Sequence, residues 1–169
     1  SGKLLTARDG AHKKIADLLK KGEPLPAGIN LKNKFIYYVG PVNAVRNEVI
    51  GPAGPTTASR MDPFMEMMLA ELGVMGTIGK AERSESAVQT IKKYQSVYLS
   101  AVGGAAYLVS KAITSSKVVA FPELGMEAIY EFEVKDMPVM VSIDTHGKSI
   151  YSEAPSRWKN KSIPINSLK

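Results

Sequence analysis

Gly51-Pro-Ala-Gly-Pro-Thr-Thr-Ala-Ser-Arg-Met-Asp-Pro-Phe64 (GPAGPTTASRMDPF) sets a rigid turn, two hydroxyls and an arginine between two apolar runs. Before it, Phe35-Ile-Tyr-Tyr-Val39 is dense in strand formers and ends at Gly40-Pro41, the pattern of a buried strand. After it, Met61, Met65, Met68 and Leu72 recur at helical spacing, and Gly73 closes the segment. Strand, glycine- and proline-fixed loop, and apolar-faced helix make one unit of an α/β layered domain.

The same alternation extends outward in both directions. Ala11, Ile15, Leu18 and Leu19 fall on one face of a helix that Gly22 stops, with Asp9 expected as its N-cap and Arg8 just outside. Downstream, the pattern predicts a short strand near 75–78, a helix near 85–94, a strand near 97–101, a helix over 104–113 and a strand over 118–121. Residues 128–134 alternate apolar and polar, and Pro138 separates them from a second strand at 139–144; these two are expected to pair as an antiparallel edge. The expected architecture is a mixed sheet with flanking helices. From Ser152 onward no periodicity is visible, so 152–169 reads as an irregular tail wrapping the surface.

At 169 residues with 44% hydrophobic content, the chain suits a single domain spanning 1–169. No stretch approaches the roughly 18 apolar residues of a membrane-spanning helix, and the start lacks a signal-peptide layout, so a soluble, cytoplasmic protein is expected. The absence of cysteine rules out disulfides and thiolate-held zinc or iron–sulfur centres on this chain, leaving His12 and His146 as the imidazoles and no metal site of its own. A net charge of +6 favours anionic partners. Nucleic acid is not the expected one, because the basic residues are scattered and no nucleic-acid-binding motif appears. Dibasic pairs such as Lys13-Lys14 and Lys92-Lys93 read as solvated helix faces.

Cationic groups and glycine turns gather at the ends of the predicted elements. Thr56 or Thr57 is placed to cap the turn that follows, yet Arg60 would then sit in a first turn, where the helix dipole disfavours a cation. An anion held by free N–H groups, hydroxyls and that guanidinium would remove the conflict; a plain cap is the alternative. Arg8-Asp9-Gly10-Ala11-His12 has the same layout at another helix mouth, where a cap with a local Arg–Asp pair suffices. Gly76-Thr-Ile-Gly-Lys80 ends a strand in a lysine, the position where open α/β sheets place ligand groups, though its spacing is not that of a Walker loop. Val102-Gly-Gly-Ala-Ala106, with Gly104 at its centre, could bring N–H groups to a carboxylate or could serve close helix–strand packing. His146 reads as a turn residue. No catalytic triad or zinc spacing appears, and the set suits a small di- or tricarboxylate.

Taken in order, Thr6-Ala-Arg-Asp-Gly-Ala-His12, Gly54-Pro-Thr-Thr-Ala-Ser-Arg-Met-Asp62, Gly79-Lys80, Gly103-Gly-Ala-Ala106 and Glu123-Leu-Gly-Met-Glu-Ala-Ile129 resemble the β subunit, or C-terminal domain, of class I fumarate hydratases and the related L-tartrate dehydratases. The resemblance implies a swivelling β/β/α domain working with an α subunit that carries a [4Fe–4S] cluster, in an αβ or α2β2 hetero-oligomer that adds water to, or removes it from, a dicarboxylate. It also implies roles: Thr56 takes the proton from the substrate carbon, Thr57 and Arg60 lie beside it, and Arg8 and Lys80 serve as carboxylate or proton-network partners. Asp9, His12 and Gly104 are further candidates. Fumarate and tartrate are both open as substrates.

Overall fold

In the computed structural model, which describes residues 1–27 and 29–159, seven strands form one mixed sheet. The strands are β1 (Gly2–Thr6), β2 (Phe35–Tyr37), β3 (Gly76–Gly79), β4 (Val97–Ala101), β5 (Ile113–Ala120), β6 (Ile129–Val134) and β7 (Val139–Ile143), in the order β5-β6-β1-β2-β3-β4-β7. The four central strands β1 to β4 run parallel, while β6 and β7 add antiparallel on opposite flanks and β5 pairs antiparallel with β6. The helices are α1 (Asp9–Lys21), α2 (Glu85–Lys93), α3 (Ala106–Lys111) and α4 (Ile150–Lys159).

The central strands are covered on both faces, as parallel sheets require. Successive residues alternate between two apolar clusters. Leu5, Ile36 and Tyr38 face the side where Ile15 of α1, Ile91 of α2, and Met61, Met65 and Met68 pack. Leu4, Tyr37 and Val39 face the other side, against Ile50 and Ala53 of the long 40–55 loop and Val109 of α3. This double burial explains why β1, with two leucines side by side, carries no period-2 signal and was not expected from the sequence.

Four expectations are corrected. β6 and β7 do not pair: β6 inserts between β5 and β1, and β7 pairs with β4 at the far edge. The helix expected over 64–72, after a break at Asp62-Pro63, is not a regular α-helix: a 3-10 turn (Ala58–Phe64) containing Pro63 leads into a π-helical turn (Met67–Glu71) in which Leu72 N–H reaches the Met67 carbonyl. Pro63 removes a donor from the run and the wide turn shifts the register before Gly73, yet the methionine stripe remains buried. The third helix ends at Lys111, because β-branched Ile113 and Thr114 enter β5, where the Thr114 hydroxyl donates to the Glu133 carbonyl. Finally, Ser152–Lys159 lie within α4 despite Pro155; the remainder of the expected irregular tail, 160–169, lies outside the described residues. No described helix is long and apolar enough to cross a membrane.

Candidate functional site

The carboxyl ends of β1, β2, β3 and β4 share one edge of the sheet, and the opening stretch of sequence is wedged into it. Up to Tyr38, β2 bonds directly to β3 through Tyr38 N–H and the Ile78 carbonyl. One step further the two chains part, and Thr56 takes the space between them: its N–H donates to the Tyr38 carbonyl at 2.7 Å, and its carbonyl accepts from Lys80 N–H at 3.2 Å. Ala58 N–H then donates to the Lys80 carbonyl at 2.9 Å. Glycine is required where this segment passes: a Cβ at Gly79 would stand 3.0 Å from both the Ala58 Cβ and the Tyr38 ring, and 3.3 Å from the Thr56 carbonyl oxygen. Thr56 is thereby fixed by its backbone with only 9% of its surface exposed, and among the described residues its hydroxyl has no hydrogen-bond partner. Thr57 occupies the N-cap position of the 3-10 turn but makes no side-chain cap, so neither threonine spends its hydroxyl on capping.

The cations arrive from neighbouring strand ends. Arg8 follows β1 and holds the N-cap position of α1, where Asp9 was expected; Asp9 is instead the first helical residue and caps nothing. Its carboxylate is drawn to two guanidiniums, accepting from Arg60 Nε at 3.0 Å and pairing with Arg60 Nη2 at 2.9 Å and Arg8 Nε at 3.4 Å. The anion that relieves Arg60 in its turn is therefore Asp9 of the same chain. The head of α1 is served from a distance: Glu127, in a 3-10 segment (Pro122–Glu127), accepts from Gly10 N–H at 2.7 Å with Oε2 and pairs with Arg8 Nε at 3.1 Å with Oε1. Glu127 was not singled out as a site residue, since 117 positions separate it from Gly10 and no local pattern signals the contact.

Lys80 leaves the end of β3 half-buried, with its aliphatic stem close to Gly103, where an added Cβ would stand 3.5 Å from Cδ. It lines a cavity of about 440 Å³ together with Ser100, Val102, Met140 and Tyr151. It has no ion pair among the described residues. Behind the cavity wall the Ser142 hydroxyl donates to the lining Ser100 at 2.6 Å, and Ser100 lies 3.3 Å from the Tyr151 hydroxyl. Gly104 turns the chain after β4 with φ near +80°, a left-handed value that favours glycine, and a Cβ there would meet open space. The wall at Gly54 is tighter: its Cβ would lie 2.9 Å from that of Ala106 at the start of α3.

His12 lies beneath the site and not in it. Its ring is fully buried against Tyr38 and Phe64, and Nδ1 is 2.9 Å from the Arg8 carbonyl, which also accepts the His12 N–H. Burial outweighs that carbonyl bond and pulls its pKa down from 6.5 to about 4, so at neutral pH the uncharged ring donates Nδ1–H to Arg8. Nearby, Arg83 is buried beside the Tyr38 and Tyr98 rings and paired with Asp62, whose other oxygen accepts from Ser84 N–H at 2.7 Å. His146 sits in the Asp144 turn, remote in role from these groups. Among the described residues no group of three His, Asp or Glu side chains could hold a metal ion.

The arrangement is thus a cationic, hydroxyl-bearing edge of an α/β sheet, suited to the carboxylates of a small anion. Residues 1–154 match the Fumarase C-terminus family, and the chain belongs to it. It is 39% identical over 154 residues to "Fumarate hydratase 2" of Leishmania major, covering 90% of this chain and 27% of that protein. It is 38% identical over the same length to "Fumarate hydratase class I, aerobic" of Escherichia coli (strain K12), covering 28% of that protein. It is also 39% identical over 166 residues to "Putative L(+)-tartrate dehydratase subunit beta" of Methanocaldococcus jannaschii, where the match covers 84% of the relative. The chain therefore spans little more than a quarter of the fumarate hydratases it matches, and most of the tartrate dehydratase-type subunit. By their names these relatives are fumarate hydratases and a tartrate dehydratase subunit.

Proposed function

We propose that the chain is the β subunit of a dicarboxylate hydro-lyase, supplying one wall of an active site completed by a cluster-bearing α subunit, with reversible hydration of fumarate to malate as its reaction. The observation that carries this reading is the wedge at the sheet edge, which holds the Thr56 hydroxyl unpartnered beside the end of β3 while Arg8, Arg60 and Lys80 come from adjacent strand ends and turns. In the dehydration direction Thr56 Oγ takes the proton from the substrate carbon, the C–O bond to the departing hydroxyl breaks, and the electron pair closes the double bond. In hydration the proton returns to carbon.

A neutral threonine is a poor base, so it needs a nearby cation to favour its ionised form. Lys80 is suited to this by adjacency, since it bridges Thr57 in the sheet and its charge has no carboxylate partner among the described residues. Arg8 and Arg60 bind and orient the substrate carboxylates. With no cysteine, this chain offers no thiolates to hold a [4Fe–4S] cluster, which fits a cluster carried wholly by the partner. When bound there, the cluster supplies the Lewis acid for the departing hydroxyl.

A second reading, the β subunit of an L-tartrate dehydratase, is favoured by one observation: the tartrate dehydratase-type relative is matched over 84% of its length, as a separate subunit would be. Anaerobic reconstitution with the α partner, following fumarate absorbance and tartrate consumption, distinguishes the two. Absence of hydro-lyase activity with any dicarboxylate contradicts both.

A further inference from the structure

The two arginines at the mouth of the site are gripped differently. Arg60 meets Asp9 side-on, through Nε and Nη2. Arg8 comes closest to both of its carboxylates at Nε, whose N–H donates to Asp9 Oδ2 at 3.4 Å while Glu127 Oε1 pairs with the same nitrogen at 3.1 Å. Gly40 makes room for that pose, for a Cβ there would stand 2.8 Å from Arg8 Nη1 and 3.1 Å from its Cδ. Both oxygens of Glu127 are committed, one to Arg8 and one to the Gly10 N–H at the head of α1. A carboxylate tied at both oxygens neither swings into the site nor competes for the outer face of the guanidinium.

We propose that Glu127 is a positioning residue: by holding Arg8 at Nε it leaves the Nη1/Nη2 fork as the face offered to a substrate carboxylate, with Gly40 as the backing surface. A guanidinium left untethered would samples several faces, and two-pronged recognition of a carboxylate depends on presenting one. The inference rests on the hydro-lyase reading given above, because it assigns the freed fork to that substrate.

The test uses the reconstituted pair with fumarate and malate, comparing wild type, Glu127→Gln and Gly40→Ala. The amide of Glu127→Gln keeps the volume but puts an NH2 group against either Arg8 Nε or the Gly10 N–H. The expected result is a KM raised by about tenfold in Glu127→Gln and by a smaller factor in Gly40→Ala, with kcat changed less than about threefold. Unchanged KM in both variants of an active enzyme overturns the proposal, as does a kcat loss with KM unchanged. A second readout needs no turnover: in ¹⁵N NMR of the full chain, the Arg8 Nε–H resonance should shift in Glu127→Gln. An unshifted resonance overturns the anchoring itself. A shifted resonance in a pair that turns over no dicarboxylate supports the anchoring and overturns the hydro-lyase reading instead.

Discussion

Thr56 and His12 show how far single residues reach. Thr56 was legible as a candidate because it and Thr57 set two hydroxyls just ahead of an arginine in a first turn, but a local pattern could not show that its backbone would be clamped between two diverging strands. His12 was legible as a candidate by its place at a helix mouth, and the structure buries it. Its ordinary pKa near 6.5 falls to about 4 in the fold, so the unfolded chain binds the proton more readily. The stability gained by keeping the ring neutral is complete above about pH 6.5 and declines as the pH falls toward 4, by about 3 kcal/mol across that window. Urea unfolding at pH 7 and pH 4.5 should show this loss, and His12→Asn should remove most of the difference; an unchanged pH dependence in the variant would assign it elsewhere. Arg60→Lys tests the side-on pairing with Asp9, because a single ammonium cannot make both contacts. It should raise KM by about tenfold with little change in melting temperature.

Among the elements, the longest apolar pattern was the most legible and its winding the least. The spacing of Met61, Met65 and Met68 identified a buried stripe correctly, yet the segment is wound as 3-10 and then π. What pins it is a contact from outside: Asp62 joins buried Arg83 and the N–H of Ser84, tying the turn to the head of α2, where Ser84 caps through the Ala87 N–H. Breaking one side of this pair leaves a buried charge alone, so Asp62→Asn should cost about 3–5 kcal/mol in chemical denaturation. Gly79→Ala should crowd the wedge and cost about 1–3 kcal/mol; a neutral effect would contradict the close passage of Thr56 and Ala58 over β3. Strand pairing was beyond local reading for a plain reason. β6 and β7 both carry strand patterns, but β6 joins β1, whose adjacent leucines hide it, and β7 joins β4 at the opposite edge.

At the scale of the whole molecule, the chain brings together two arginines paired with its own Asp9 and Glu127, Lys80 with no ion pair among the described residues, a clamped threonine, and no thiolate. Its fumarate hydratase relatives carry nearly three quarters of their length outside the match, room for the remainder of a shared site. The α/β class, the ordered motifs and the family were readable because they lie in contiguous stretches. The Glu127 link and the Asp9–Arg60 pair were not, because they join positions far apart in the chain. The role proposed for this wall is to contribute the proton-transferring group, and it is tested by kcat of the anaerobically reconstituted pair carrying Thr56→Ala, with malate binding measured alongside. A fall of about 10²–10⁴ in kcat with malate still bound is expected. Turnover equal to that of the wild type would contradict it.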